Sequence, residues 1–258
     1  MTINFNDKVA IVTGAGGGLG RCHALQLAER GANIVVNDLG GSVDGTGGSS
    51  EAAEKVVDEI KSAGGNAIAN GSSVTDKAGV KKLVDDTMTA FGRIDILVNN
   101  ASNDQRHSLE SITEKFWDNR MAINLKHYLF AIQTVKKSMV KNKGGSIINL
   151  GSVSWVRGVV MFPAYSTAKA GIHGLTRSLA RDLGKHNIRI NSIAPGSIST
   201  ARQSKLWLNS KFKKEILRNQ ALKKQLLPDD VSKMVLFLAS DVSSGCTKQN
   251  FTVDAGLT

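Results

Sequence analysis

Short runs rich in Val and Ile alternate along the whole chain with longer amphipathic stretches, and this alternation limits the fold more than any other feature. The runs are VAIVT (9–13), NIVVN (33–37), NAIAN (66–70), IDILVNN (94–100), SIINLG (146–151) and IRINSIAP (188–195). A strand wetted on one side alternates apolar and polar residues. These largely do not, so both faces are expected to be covered, as in a parallel sheet between two helical layers. Helical periodicity fills the intervals near 18–30, 50–63, 76–91, 113–141, 164–184 and 229–239. Gly31 and Gly64 stand where helices should stop, and Pro228-Asp229-Asp230 opens the last helix with acids at its positive end. The pattern predicts an α/β fold: one doubly wound parallel sheet with helices on both faces. No linker, repeat or low-complexity tract divides residues 1–258, so a single domain is expected, and GGSVDGTGGSS (40–50) reads as a loop after the second strand.

Composition removes several function classes. At 41% hydrophobic over 258 residues, the chain can bury a core without disulfides or metals. Cys22 and Cys246 are far apart and read as reduced thiols, and the five histidines (23, 107, 127, 173, 186) show no metal-ligand spacing. The N-terminus lacks the regions of a secretory signal, and no apolar run nears the roughly 20 residues of a bilayer span. A cytoplasmic protein with no membrane partner is expected. The net charge of +11 raises the question of nucleic acid, but the cations are dispersed and aromatics are only 5%. Solvated lysine faces explain the charge better than nucleic-acid binding.

The first strand runs into Thr13-Gly14-Ala15-Gly16-Gly17-Gly18-Leu19-Gly20 and then a helix. Glycines let the backbone approach a pyrophosphate there, while the helix N-terminus offers free N–H groups and a positive dipole. The placement between strand and helix, with an acid ending the next strand, is the context this motif requires. That acid is Asp38, eighteen residues after Gly20. A carboxylate there accepts bonds from the adenosine ribose hydroxyls and repels a 2′-phosphate, so NAD is the expected cofactor.

Tyr165 and Lys169 are four apart in a helical segment and so share a face. A fixed ammonium favours a phenolate, and lowering the phenol by about two units from its usual ~10 would suit acid/base catalysis. Alone, this pair is weak. It occurs, however, in order with the glycine loop at 13–20, Asn99-Asn100-Ala101, Asn124, Ser152 and Pro195-Gly196. On these motifs the chain resembles the short-chain dehydrogenase/reductase family from end to end. The resemblance implies a Rossmann-type sheet of about seven parallel strands and a homotetramer. It also implies roles: Ser152 bonds the reacting oxygen, Tyr165 exchanges its proton, Lys169 holds the nicotinamide ribose, and Asn124 holds a water linking Lys169 to solvent. Around the cofactor it places Gly14, Gly18, Leu19 and Gly20 on the pyrophosphate, and Asp38 on the ribose. Ser73 and Val74 fall near the adenine, Asn100 and Ala101 beside the loop, and Pro195, Gly196, Ile198 and Thr200 near the carboxamide. Ser73 stands where the family usually has an acid, Ser102 where it has glycine, and Lys248 where it has glycine near the C-terminus. The latter two are not expected to touch the catalytic set.

Over about the last 160 residues the chain resembles the family's aldose 1-dehydrogenases, in NNASNDQRH (99–107), GSVSW (151–155), Arg202-Gln203, Lys205–Trp207 and the C-terminal stretch. A sugar needs directional donors and acceptors and an aromatic face. Asn103, Arg202 and Gln203 are the candidates for the first and Trp155 for the second, under a lid near 197–225. The expected reaction is oxidation of an aldose C1 hydroxyl to a lactone. The rival substrate is a 3-oxoacyl thioester of CoA or a carrier protein. Asp38-Leu39-Gly40-Gly41 resembles hydroxyacyl-CoA dehydrogenases, and the lid carries eight Lys/Arg against one acid, Glu215. A non-catalytic NAD(H)-binding regulator is disfavoured because all four catalytic positions are filled.

Overall fold

The computed structural model describes residues 3–40, 50–206 and 209–258. The strands are β1 (Val9–Thr13), β2 (Asn33–Asn37), β3 (Asn66–Asn70), β4 (Ile96–Asn99), β5 (Gly145–Leu150), β6 (Ile188–Pro195) and β7 (Asn250–Val253). They form one sheet in the order β3-β2-β1-β4-β5-β6-β7, with every pairing parallel. The helices are α1 (Gly18–Ala28), α2 (Glu51–Ser62), α3 (Lys77–Phe91), α4 (Glu114–Met121), α5 (His127–Lys141), α6 (Pro163–Gly184), α7 (Ala201–Leu206), α8 (Ser210–Asn219) and α9 (Pro228–Ala239).

The unbroken apolar runs have the expected cause. Ala10, Val12, Ile34, Val36 and Val98 pack on one side against Leu27 of α1, Ile60 of α2 and Val235 of α9. The intervening Ile11, Val35, Leu97 and Ile147 pack on the other against Leu83 of α3, Val135 of α5 and Leu183 of α6. Successive strand residues point to opposite faces, so two buried faces require an apolar residue at every position.

Strand order reverses between β1 and β4, and in such sheets the crevice for a ligand opens beyond the strand ends at the reversal. Those ends are Thr13 of β1 and Asn99 of β4.

Three details depart from the periodicity. The strand expected over 94–100 spans only Ile96–Asn99. The helix expected over 113–141 is two helices, α4 and α5, joined by a π-helical turn at Ala122–Lys126. The last strand, β7, is four partly exposed residues, and the pattern of apolar runs did not reveal it. Of the glycine-rich stretch 40–50, residues 41–49 lie outside the described residues, as does Trp207. Both cysteines are unpaired and partly exposed. Among the described residues no helix is long and apolar enough to cross a membrane.

Candidate active site

The glycine loop is shaped from behind by the end of β4. The Thr13 hydroxyl accepts the backbone N–H groups of Asn100 and Ala101, both at 3.0 Å. The Asn100 side-chain amide donates to the carbonyls of Thr13 (2.9 Å) and Gly14 (3.0 Å). Gly14 has φ +63°, and a Cβ there would lie 2.8 Å from the Ala101 Cα; one at Gly20 would lie 2.1 Å from the Gly14 carbonyl oxygen. Side chains are therefore excluded from this turn. Asn100 and Ala101 act as its brace, since the Asn100 amide is taken up by loop carbonyls.

At the front, Gly17 precedes α1 with no side-chain cap, and nothing stands within 4 Å of where its Cβ would be. An uncapped helix N-terminus bordered by Gly18 and Leu19, with open space before it, fits the pyrophosphate of a dinucleotide. Asp38 is fixed beside it: one carboxylate oxygen accepts the N–H of Gly16 and the other that of Gly40, each at 2.8 Å. This fits the ribose end.

The remaining expected cofactor residues differ in what they can offer. Ser73 is engaged with Thr75, hydroxyl to hydroxyl at 2.8 Å, so an adenine contact must share that oxygen; Val74, beside it, is partly exposed. Gly196 follows Pro195 at the end of β6, and a Cβ on it would overlap Asp254 at 2.7 Å. The Ile198 side chain is buried in the core, which leaves only its backbone for a carboxamide. The Thr200 methyl faces Gly18 at 3.7 Å from its Cβ position.

Tyr165 and Lys169 project from one face of α6 toward the end of β5. Lys169 is 2% exposed; its amine donates to the Leu150 carbonyl at 2.8 Å and to the Tyr128 hydroxyl at 3.3 Å. It stands 5.5 Å from the centre of the Tyr165 ring. Burial governs both groups. It raises the Tyr165 phenol above its ordinary value, with the charge of Asp104 adding to the effect and the hydroxyls of Ser152 and Ser102 and the charge of Arg202 opposing it. It pulls Lys169 down to about 7, against the opposing pull of Asp104. The expectation that a fixed ammonium simply lowers the phenol is thus corrected: a buried cation is itself destabilised, and desolvation outweighs it at both groups.

Ser102 is the second correction. Its hydroxyl, like that of Ser152, is near enough to act on the Tyr165 phenol and opposes its rise, so the serine that replaces a glycine does reach the neighbourhood of the tyrosine. Lys248, at the other glycine position, keeps a left-handed backbone (φ +66°), and its N–H donates to Ile190 at the sheet edge.

The loop after β4 organises everything around Tyr165. Asn124, fully buried in the π turn, accepts the Asn103 N–H (2.8 Å) and donates to the Asn103 carbonyl (3.1 Å). Each end of its amide carries one of these bonds. The His107 Nε2 accepts the Ala164 N–H at 3.1 Å and thereby caps α6 one residue before Tyr165. Asp104 takes Arg202 Nε at 2.8 Å on one oxygen and Gln203 Nε2 at 2.6 Å on the other, which ties α7 across the mouth of the cleft.

The other two proposed sugar contacts have neighbours of their own. The Asn103 side chain accepts the Gln105 N–H at 2.9 Å, an ordinary turn bond. Trp155 lies near His173 (ring centres 6.3 Å) and lines a cavity of about 430 Å³ with Val159, Met161 and Thr167. Of its neighbours on α6, His173 lies roughly 80° and Thr167 roughly 160° around the helix from Tyr165 at about 100° per residue. The ring that does meet Tyr165 is Phe162, at 4.8 Å. Asp104 and Phe162 escaped the sequence reading, and only the NNASNDQRH resemblance pointed toward the first of them.

The family model described as Enoyl-(Acyl carrier protein) reductase matches residues 14–258. The chain belongs to the short-chain dehydrogenase/reductase family. Like other members, it carries the Ser-Tyr-Lys set on a Rossmann-type sheet and acts as an oxidoreductase on CH–OH groups with a nicotinamide cofactor. It is similar to the D-xylose 1-dehydrogenase of Caulobacter vibrioides, 36% identical over 98% of this chain and 96% of the relative. It is also similar to the 3-oxoacyl-[acyl-carrier-protein] reductase of Staphylococcus aureus, 37% identical over 97% and 98%. Among solved structures it superposes on a 7α-hydroxysteroid dehydrogenase in complex with NADH and 7-oxo glycochenodeoxycholic acid, with a TM-score of 0.92, 31% identity and coverage of 98% and 95%.

Proposed function

We propose that this member of the family is an NAD-dependent aldose 1-dehydrogenase that oxidises the C1 hydroxyl of a cyclic aldose to a lactone. Identity does not choose between a sugar and a thioester, at 36% and 37%. The observation that carries the proposal is the polar mouth above Tyr165, where Asp104, Arg202 and Gln203 meet in one hydrogen-bonded group. Such a group suits a neutral ligand rich in hydroxyls, each of which both donates and accepts. The proposal also carries the homotetramer that the family resemblance implies and the cytoplasmic location expected from the sequence.

Tyr165, as phenolate, takes the proton of the C1 hydroxyl while Ser152 and Ser102 hold the two oxygens in place. The C1–H electron pair leaves as hydride, and the C1–O bond becomes the lactone carbonyl; the sugar's ring oxygen shares the developing charge. A bound dinucleotide would be held by the glycine loop and Asp38, with Thr200 and Lys169 toward its nicotinamide end, and would supply the hydride acceptor. Lys169, at about 7, can take up and release a proton near neutrality, so it suits passing on the one Tyr165 receives.

Asp38 supports NAD over NADP. Its carboxylate is pinned at the loop, and a 2′-phosphate beside it would be repelled while a ribose bond was lost. The test is kcat/KM with each cofactor across a panel of aldoses, polyols and 3-hydroxyacyl thioesters. The expected result is at least about tenfold preference for NAD+ and turnover of a pentose or hexose. The thioester reading draws on the cationic α8, so it requires charge reversal at Lys213 and Lys214 to weaken activity. An aldose enzyme would be indifferent to that change. Turnover of a thioester and of no sugar at tens of millimolar would refute the proposal.

A further inference from the structure

Asp104 stands on the loop after β4 and its carboxylate bonds two residues of α7, yet the catalytic chemistry makes no use of it. Its side chain is only 14% exposed, with Arg202 at 26%, and each oxygen already accepts one bond from α7. An ionised carboxylate has about four acceptor positions, so two remain. Its position is fixed from three sides. Asn103 is locked to Asn124 by two bonds, Ser102 lies near enough to Tyr165 to act on its phenol, and His107 holds the start of α6. Asp104 follows Asn103 on the loop that Asn124 locks in place, and the residues it holds, Arg202 and Gln203, follow Thr200 beside Gly18, which puts the carboxylate toward the reacting end of the cleft; its charge also acts on Tyr165 and Lys169.

We infer that Asp104 is a specificity-determining residue that accepts a hydrogen bond from a substrate hydroxyl near C1, with Arg202 and Gln203 holding its carboxylate in place. This rests on the aldose reading and narrows it. A ligand entering here must bring a hydroxyl donor close to the oxidised carbon and must not bring an anion. Free sugars satisfy both conditions. A bond to a charged acceptor is among the stronger ones, and a substrate lacking the donor would leave the carboxylate poorly solvated.

The experiment compares wild type, Asp104→Ala and Asp104→Asn on the preferred aldose and on its singly deoxygenated analogues. In the wild type, one particular deoxy analogue is expected to lose roughly 10- to 100-fold in kcat/KM. In Asp104→Ala that same analogue should be no more than about threefold worse than the parent sugar, because the acceptor it fails to engage is already gone. NADH affinity by fluorescence titration should stay within about twofold in both variants. Asp104→Asn keeps the shape of the side chain, so it carries the test if the alanine variant does not fold. An equal deoxy penalty in wild type and variants would show that Asp104 only braces α7, and would overturn the inference. A loss of NADH affinity would overturn it too, by placing Asp104 at the cofactor. Inactivity of the wild type toward every aldose is read before any variant is compared; it would bring down the aldose reading itself, and this inference with it.

Discussion

Tyr165→Phe is expected to lower kcat by on the order of a thousandfold while leaving NADH affinity within about threefold. The substitution removes the one oxygen that exchanges the substrate proton. The ring stays, with its packing on Phe162 at 4.8 Å, so the fold of the site should survive. The glycine loop, Asp38 and Lys169 are untouched, so the cofactor loses little. Steady-state kinetics and a fluorescence titration of NADH check the two halves separately. A variant that kept a tenth of the activity would mean that Tyr165 is not the proton acceptor. The direction of the pH dependence follows from the same group. Oxidation requires the phenolate and burial raises the phenol, so the oxidation rate should climb as pH rises into the alkaline range.

Lys169→Ala should damage rate and cofactor affinity together. The amine is buried between the Leu150 carbonyl and the Tyr128 hydroxyl, and alanine leaves both without this donor in a place water reaches poorly. The Tyr128 hydroxyl still donates to the Leu150 carbonyl at 2.9 Å, so neither group is stranded and only a small fall in Tm is expected, from the lost packing and bonds of the amine. The proton path from Tyr165 is cut and the ribose loses its holder. The expected loss in kcat/KM is on the order of a hundredfold or more, with NADH binding weaker by roughly tenfold. Unchanged NADH affinity alongside a lower Tm would reduce Lys169 to a structural residue. Lysine matters here as an amine whose charge titrates near neutrality, a behaviour arginine cannot reproduce.

The parts of this molecule that could be read from its sequence are those set by local periodicity and backbone sterics. Two-sided burial forces apolar runs such as VAIVT, and a turn too tight for a Cβ forces Gly14 and Gly20, so sheet and loop leave marks on neighbouring residues. The π turn leaves none. Its apolar spacing matches an ordinary helix, and its cause is a distant contact between Asn124 and the Asn103 backbone. The polar mouth is hidden for the same reason. Asp104 and Arg202 are 98 positions apart, and nothing local marks an acid that bridges two elements. The protonation of Tyr165 and Lys169 was misjudged because spacing reveals a neighbouring charge but not how deeply both groups are buried.

The central claim is that hydride leaves C1 of an aldose, and a C1-deuterated sugar tests it most directly. Incubated with the enzyme and NAD+, the preferred aldose carrying deuterium at C1 should yield deuterated NADH and the corresponding lactone in equal amounts, read by mass spectrometry. NADH formed without the label, or no reduction of NAD+ by any aldose while a 3-hydroxyacyl thioester is oxidised, would contradict it.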